Sequence, residues 1–170
     1  MVTTATTPVA IEQVRSWLTE VADPEIPVLS IVDLGLIREI AWDGDTCVVT
    51  ITPTYSGCPA MEVIESDIRG VLQARGISSV RVESRLSPAW TTDWMTEKGH
   101  EALRGYGIAP PGQKAIDISG LTRRNPEVVV PCPLCGSGHT RLISHFGSTA
   151  CKALYRCNGC GEPFDYFKAH

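Results

Sequence analysis

The chain has 170 residues, 43% of them hydrophobic and 20% charged, with a net charge of −4. That length allows one medium domain, or a small domain with a mini-domain attached, and the composition is that of an ordinary globular protein. The acidic balance argues against non-specific nucleic-acid binding, which needs a basic footprint, and no run of about 18 apolar residues is present to span a membrane.

Residues 1–8 contain no basic residue and no apolar run, so they read as a short disordered tail and not as a signal peptide. The expected compartment is therefore the reducing cytoplasm. Ile11, Val14, Leu18 and Val21 recur at helical spacing and predict one helix from about Val9 to Ala22. Asp23-Pro24 ends it, because proline lacks an N–H and disfavours helix in the residue before it. Glu25-Ile26-Pro27 then reads as a rigid connector. Leu34 to Ala41 and the β-branched run Thr46 to Thr52 flank Asp43-Gly44, which predicts a β-hairpin. The loop Thr54-Tyr55-Ser56-Gly57 leads to a second helix from Pro59 to about Arg75. Met61, Ile64, Ile68, Val71 and Leu72 mark its buried face, and Gly76 stands where a left-handed terminator belongs. Val80 to Leu86 alternates as a half-buried strand should.

The predicted fold class is α+β: a small α-β-β-α-β domain, with helices on one face of a three-stranded sheet, followed by a C-terminal metal ribbon. Beyond Ser87 the pattern weakens. Thr96 to Arg104 predicts a short helix capped by Thr96, and Gly105, Gly107, Pro110, Pro111 and Gly112 punctuate the stretch after it. The expected division is a tail at 1–8, the α+β domain at 9–108 with an extension from 87, a linker at 109–128, and the ribbon at 129–170.

Five of the seven cysteines fall after Pro131. Cys132-Pro133-Leu134-Cys135-Gly136 and Cys157-Asn158-Gly159-Cys160-Gly161 are two C-x-x-C-G units. Such a turn aims two sulfurs at one ion, and the following glycine can adopt positive φ. Two of them joined by short strands, here Thr140 to Phe146 and Lys152 to Arg156, predict a closed tetrahedral four-thiolate site, with zinc the first choice and iron or an iron–sulfur cluster the alternatives. A segment this short cannot fold on its own core, so the metal must supply folding free energy. Four thiolates on a divalent cation leave a net −2, which Arg124, Arg141, Lys152 and Arg156 are available to offset. Cys151 reads either as a small buried hydrophobe on a ribbon strand or as a free thiol or alternate ligand beside the metal. His139, His145 and His170 are further candidates, although four cysteines already complete a site.

Cys58 immediately precedes Pro59, which is favoured at the first helical position. Cys58 then becomes the expected helix N-cap, facing the positive end of the helix dipole with its pKa lowered. The competing reading is a buried structural cysteine. Cys47, in the hairpin, reads as plain core. Asp23 and Glu25 sit where an acid opposes the dipole of the first helix, which marks them either as functional or as ordinary loop acids capping a backbone N–H.

Asp23-Pro24-Glu25-Ile26-Pro27, Ile31-Val32-Asp33-Leu34-Gly35-Leu36-Ile37 and Thr52-x-Thr54-x-x-Gly57-Cys58-Pro59-Ala60 resemble the iron–sulfur cluster assembly domain of SufT-type maturation factors, over about Val9 to Leu86. Ser87-Pro88-Ala89-Trp90-Thr91-Thr92-Asp93-Trp94, the stretch Phe146 to Cys157 and Glu162-Pro163-Phe164-Asp165-Tyr166-Phe167-Lys168 extend the resemblance to the PaaD family, accessory D subunits of bacterial phenylacetyl-CoA epoxidase systems. The resemblance implies a maturation subunit that is not itself an enzyme. It would assist metal or iron–sulfur cluster assembly in the di-iron oxygenase or the iron–sulfur flavin reductase. Cys58 would contact transient iron or a cluster, with Asp23 and Glu25 as acidic partners. The epoxidase subunits are the implied partners, and a small core makes a homodimer an expectation as well. A competing role is a structural subunit whose ribbon and Trp90/Trp94 segment form an interface. An enzyme pairing Cys58 with His100 as base ranks below both.

Overall fold

A computed structural model describes residues 9–112 and 129–169. The chain divides into two compact units, with the boundary between Trp90 and Thr91. The expected tail at 1–8 and most of the expected linker, 113–128, lie outside the described residues.

The first unit opens with helix α1 (Ile11–Trp17), which tightens into a 3-10 turn at Leu18–Glu20. Val14, Leu18 and Val21 are buried, so the apolar stripe faces the core as its spacing requires. The helix stops short of Asp23, however, and the next residues form a hairpin in place of a connector. Strand β1 (Ala22–Asp23) pairs antiparallel with β2 (Ile26–Ser30), with Ala22 opposite Ser30 and Asp23 opposite Ile26. The side chain of Asp23 makes this turn. Its Oδ1 accepts from the backbone N–H groups of Glu25 (2.8 Å) and Ile26 (3.0 Å), the local side-chain-to-backbone bonding by which an aspartate closes a turn.

Strands β3 (Ile37–Asp43) and β4 (Thr46–Ile51) form the expected hairpin, joined through Gly44 at φ 58°. β4 is the central strand of a three-stranded sheet. β5 (Ser79–Ser84) joins it in parallel, with Cys47 opposite Val80 and Ile51 opposite Ser84. Parallel neighbours need a crossover, and helix α2 (Met61–Ala74) supplies it, burying Ile64, Ile68 and Leu72. The helix ends in a Schellman motif. Gly76 (φ 91°) donates to Gln73, and Ile77 donates to Leu72. Cys47 is fully buried in β4, as a core residue should be. Trp90 closes the unit: it is 3% exposed, and its indole N–H donates to the Leu34 carbonyl at 3.1 Å. It is therefore core and unavailable as the interface aromatic that its sequence suggested.

The second unit contains a 3-10 turn at Thr92–Trp94 and helix α3 (Glu97–Gly105), capped as expected by Thr96, whose hydroxyl accepts from the Gly99 N–H at 3.0 Å. A four-stranded sheet completes it, in the order β6 (Ile108–Ala109), β9 (Pro163–Phe167), β8 (Lys152–Cys157), β7 (Thr140–Ser144). Sequence reasoning missed β6 and β9. β6 has two residues, opposite Asp165 and Tyr166, too few for any periodicity to show. Its pairing draws residues 91–109 into the second unit, although the sequence division runs the first domain on to 108. Ala109, Val130, Ala153, Phe164 and Tyr166 form the second core together with two cysteines, Cys132 and Cys157. Tyr155 stacks on Phe164 and meets Tyr166 edge-on. Among the described residues no helix is long and apolar enough to cross a membrane.

Candidate metal centre and thiol loop

The two C-x-x-C-G turns fold as a matched pair. Gly136 and Gly161 take φ of 75° and 83°, and each donates back to the carbonyl of the first cysteine of its own turn, Cys132 at 2.8 Å and Cys157 at 3.0 Å. A side chain at either glycine would strain this turn. The four sulfurs of Cys132, Cys135, Cys157 and Cys160 lie within 4.8 Å of one another. Cys132 and Cys160 are 3.8 Å apart and Cys135 and Cys157 are 3.6 Å apart. A regular tetrahedron with zinc–sulfur bonds of about 2.3 Å has sulfur–sulfur edges of about 3.8 Å, so the quartet is already spaced for such an ion.

Backbone donors prepare the second turn for charge. The N–H groups of Gly159 (3.3 Å) and Cys160 (3.4 Å) point at the Cys157 sulfur. Led by the Cys160 N–H, these donors bring Cys157 down to about 6. At Cys160 the Glu162 N–H pulls the same way, but burial and the surrounding sulfurs of Cys157, Cys135 and Cys132 outweigh it and push the thiol up to about 12. A cation bound at the quartet replaces the thiol protons and takes all four sulfurs as thiolates.

The cations expected around the quartet divide. Arg156 donates through Nε to the Gly161 carbonyl at 3.1 Å, and Arg141 sits directly opposite Arg156 on β7. Lys152 lies at the other end of β8, only 4% exposed, with its ammonium 3.8 Å from Asp165; its charge answers that carboxylate. Arg124 and His170 lie outside the described residues. His139 and His145 are exposed and stand outside the quartet. Cys151 immediately precedes β8, and six residues of extended chain, about 20 Å at strand rise, separate it from Cys157. It is buried, with its sulfur 3.0 Å from the Thr149 hydroxyl, so it occupies the end of the strand remote from the metal site.

The thiol loop of the first unit differs from its expected form. α2 begins at Met61, and Ala60 is its N-cap residue. Cys58 stands one turn earlier, where its carbonyl accepts from the Met61 N–H. Its thiol is raised, not lowered. Burial is the largest cause, and the carboxylates of Glu25 and Asp23 raise it further, while donors from the Ala60 backbone and the Tyr55 side chain oppose them. Dipole stabilisation belongs to groups within the first turn; Cys58 sits before it and faces two acids. The same result brings Asp23 and Glu25, more than 30 positions away in sequence, into electrostatic reach of the sulfur. The three do not close into a compact chelate: among the described residues the quartet is the only group of three or more such donors that does. Sequence reasoning missed two neighbouring groups. Tyr55 hydrogen-bonds the sulfur, and Thr52, 1% exposed at the start of the loop, has a hydroxyl with no hydrogen-bond partner among the described residues. Both belong to the Thr52–Cys58 motif, in which the cysteine is the one residue whose chemistry stands out in the sequence. His100 lies in the other unit from Cys58.

An α+β domain carrying a cysteine loop, followed by a β-ribbon with a four-cysteine cluster spaced for a metal ion, defines a two-module protein. Residues 11–84 match the model of the iron–sulfur cluster assembly protein family, and residues 117–168 match that of the PaaD zinc beta ribbon domain. An Escherichia coli K12 protein, provisionally named as the D subunit of 1,2-phenylacetyl-CoA epoxidase, is 50% identical over 95% of this chain and 94% of its own. A Porphyromonas gingivalis protein named as an Fe-S protein maturation auxiliary factor is 37% identical over 51% of this chain and 84% of its own. The crystal structure of a domain of unknown function, DUF59, from Bacillus anthracis superposes with a TM-score of 0.50 at 30% identity, covering 54% of this chain and 89% of that one. The chain belongs to the PaaD family of phenylacetyl-CoA epoxidase D subunits.

Proposed function

We propose that this protein is a non-catalytic maturation subunit of a phenylacetyl-CoA epoxidase system, working in the cytoplasm. It assists delivery of iron or an iron–sulfur cluster to the oxygenase or, foremost, to the iron–sulfur flavin reductase. The observation that carries this reading is the convergence of Asp23 and Glu25 on the Cys58 thiol. A protonated sulfur beside two acids, without a closed chelate, suits passing on a metal cargo better than keeping it. In this reading Cys58 contacts the cargo as a substrate, while Asp23 and Glu25 supply negative charge that attracts a cation. The quartet is a separate, structural zinc site. Its sulfur–sulfur edges support zinc, and four cysteines leave no open position for chemistry.

Reconstitution of apo-reductase tests the reading. Wild-type protein should restore activity faster than free iron and sulfide do, and Cys58→Ser should remove that advantage while retaining one zinc per chain. Equal activation by the Cys58→Ser protein would end the proposed role for this thiol. A second reading, a binding subunit without cargo transfer, draws on the exposed Leu142, Ile143 and Phe146 of the ribbon. Stoichiometric co-purification with the oxygenase, with no loss of reductase maturation in the Cys58→Ser protein, would favour it.

A further inference from the structure

Strand β7 ends its sheet: the order β6-β9-β8-β7 gives it one neighbour among the described residues. An edge strand leaves alternate backbone N–H and C=O groups unpaired, and natural proteins guard such edges with charge, proline or short length. β7 is five residues long, has no proline, carries one charge at Arg141, and shifts register between Leu142 and Ser144, so its regular edge is the stretch from Thr140 to Leu142. Its sequence is Thr-Arg-Leu-Ile-Ser, with Leu142 38% and Ile143 46% exposed, and Phe146 just beyond it is 67% exposed. Phe146 is held in place by the Lys168 ammonium, 4.7 Å from its ring centroid.

The one charge on this edge is itself unanswered. Arg141 lies opposite Arg156 in the antiparallel register, and directly opposed residues share a face. Like charges in that position repel. Arg156 is engaged through Nε with the Gly161 carbonyl, and the Arg141 guanidinium has no carboxylate partner among the described residues. Among the described residues a strand edge with no neighbour, exposed aliphatic and aromatic side chains and an arginine without a carboxylate partner together describe a protein-binding edge, since arginine and aromatic residues are enriched at such contacts. We infer that β7 receives an extended, acidic segment of a partner protein as a fifth strand, with a carboxylate of that segment set across from Arg141. Backbone hydrogen bonds supply affinity, and the Arg141 pairing with the neighbouring apolar positions supplies register and selectivity. This inference is independent of the role of Cys58.

The test uses the full-length, zinc-loaded protein and a soluble peptide alternating valine with glutamate as probe. Fluorescence anisotropy should show saturable binding, and hydrogen exchange should slow at β7 amides. Arg141→Glu should weaken binding roughly tenfold, as loss of one cross-strand ion pair and gain of a repulsion imply, with zinc content and chelator resistance followed on the same protein. The same peptide with lysine in place of glutamate should not bind. Peptide affinity untouched by Arg141→Glu, or protection located away from β7, overturns the inference. So does faster loss of zinc from the variant with no change in peptide binding, because Arg141 would then serve the metal site. Equally tight, Arg141-dependent binding of a single-stranded oligonucleotide would overturn the choice of a protein segment.

Discussion

The two units handle sulfur in opposite ways. In the second, four cysteines are drawn together by two rigid turns, and backbone N–H groups bring Cys157 down to about 6. In the first, one cysteine sits in a loop where burial and two carboxylates keep it a thiol. The sequence shows both as cysteine motifs, each placed beside a glycine. The difference lies in what surrounds the sulfur: donors aimed by positive-φ turns in one case, acids carried in from a distant hairpin in the other. Two cysteine loops can therefore share a residue type and a neighbouring glycine while Cys157 is lowered by backbone donors and Cys58 is raised by burial and nearby acids.

Metal removal should break the symmetry between the units most strongly. Cys132 and Cys157 belong to the core of the second unit, and structural zinc sites contribute about 10–16 kcal/mol of apparent binding free energy to folding. Stripping the metal with a chelator, or Cys157→Ser, should abolish hydrogen-exchange protection in β7, β8 and β9. Amides of β3, β4 and α2 should stay protected; if they collapse as well, the units are not separate folding entities. Leu72→Ala applies the opposite pressure. Leu72 is fully buried under α2, so its truncation should cost about 2–5 kcal/mol, read by denaturant titration of first-unit fluorescence, with zinc content unaltered. Thr96→Ala removes the hydroxyl that caps α3 and should cost the second unit about 1 kcal/mol, seen as a lowered chelator concentration for metal loss.

The smallest expected effect bears on the thiol loop. Glu25→Gln removes a charge that raises the Cys58 pKa, so the fraction of thiolate at pH 8 should rise and alkylation of Cys58, followed by peptide mass spectrometry, should quicken by a few-fold. The sign also governs stability. A thiol raised in the folded state contributes stability below its ordinary pKa and loses it as pH climbs through the raised value. Alkylation that slows in Glu25→Gln would mean that the carboxylate activates the thiol.

Local features are legible in the sequence because local physics produces them. The C-x-x-C-G spacing requires a metal turn. The stripe of Ile64, Ile68 and Leu72 with Gly76 behind it requires α2 and its Schellman ending, and Thr96 ahead of Glu97 requires a cap. The departures share one cause. By local pattern Asp23-Pro24-Glu25 is a helix end and a connector, but in the fold it is the turn of a hairpin whose partner, Ser30, pairs back on Ala22. By position Ile108-Ala109 belongs to the first domain, but strand β9, more than 50 residues later, recruits it to the second sheet.

By itself the sequence determined the helices α1, α2 and α3, the β3–β4 hairpin, and which four cysteines come together in the ribbon. Spacing and periodicity act over a few residues and need no partner to be seen. Only the tertiary structure decided that burial, with Glu25 and Asp23 in electrostatic reach, turns the Cys58 pKa upward, that Lys152 answers Asp165 instead of the thiolates, that Trp90 is core, and that β7 has one neighbouring strand among the described residues. Each of these depends on which distant strands pair and in what register, and a one-dimensional pattern does not carry that information.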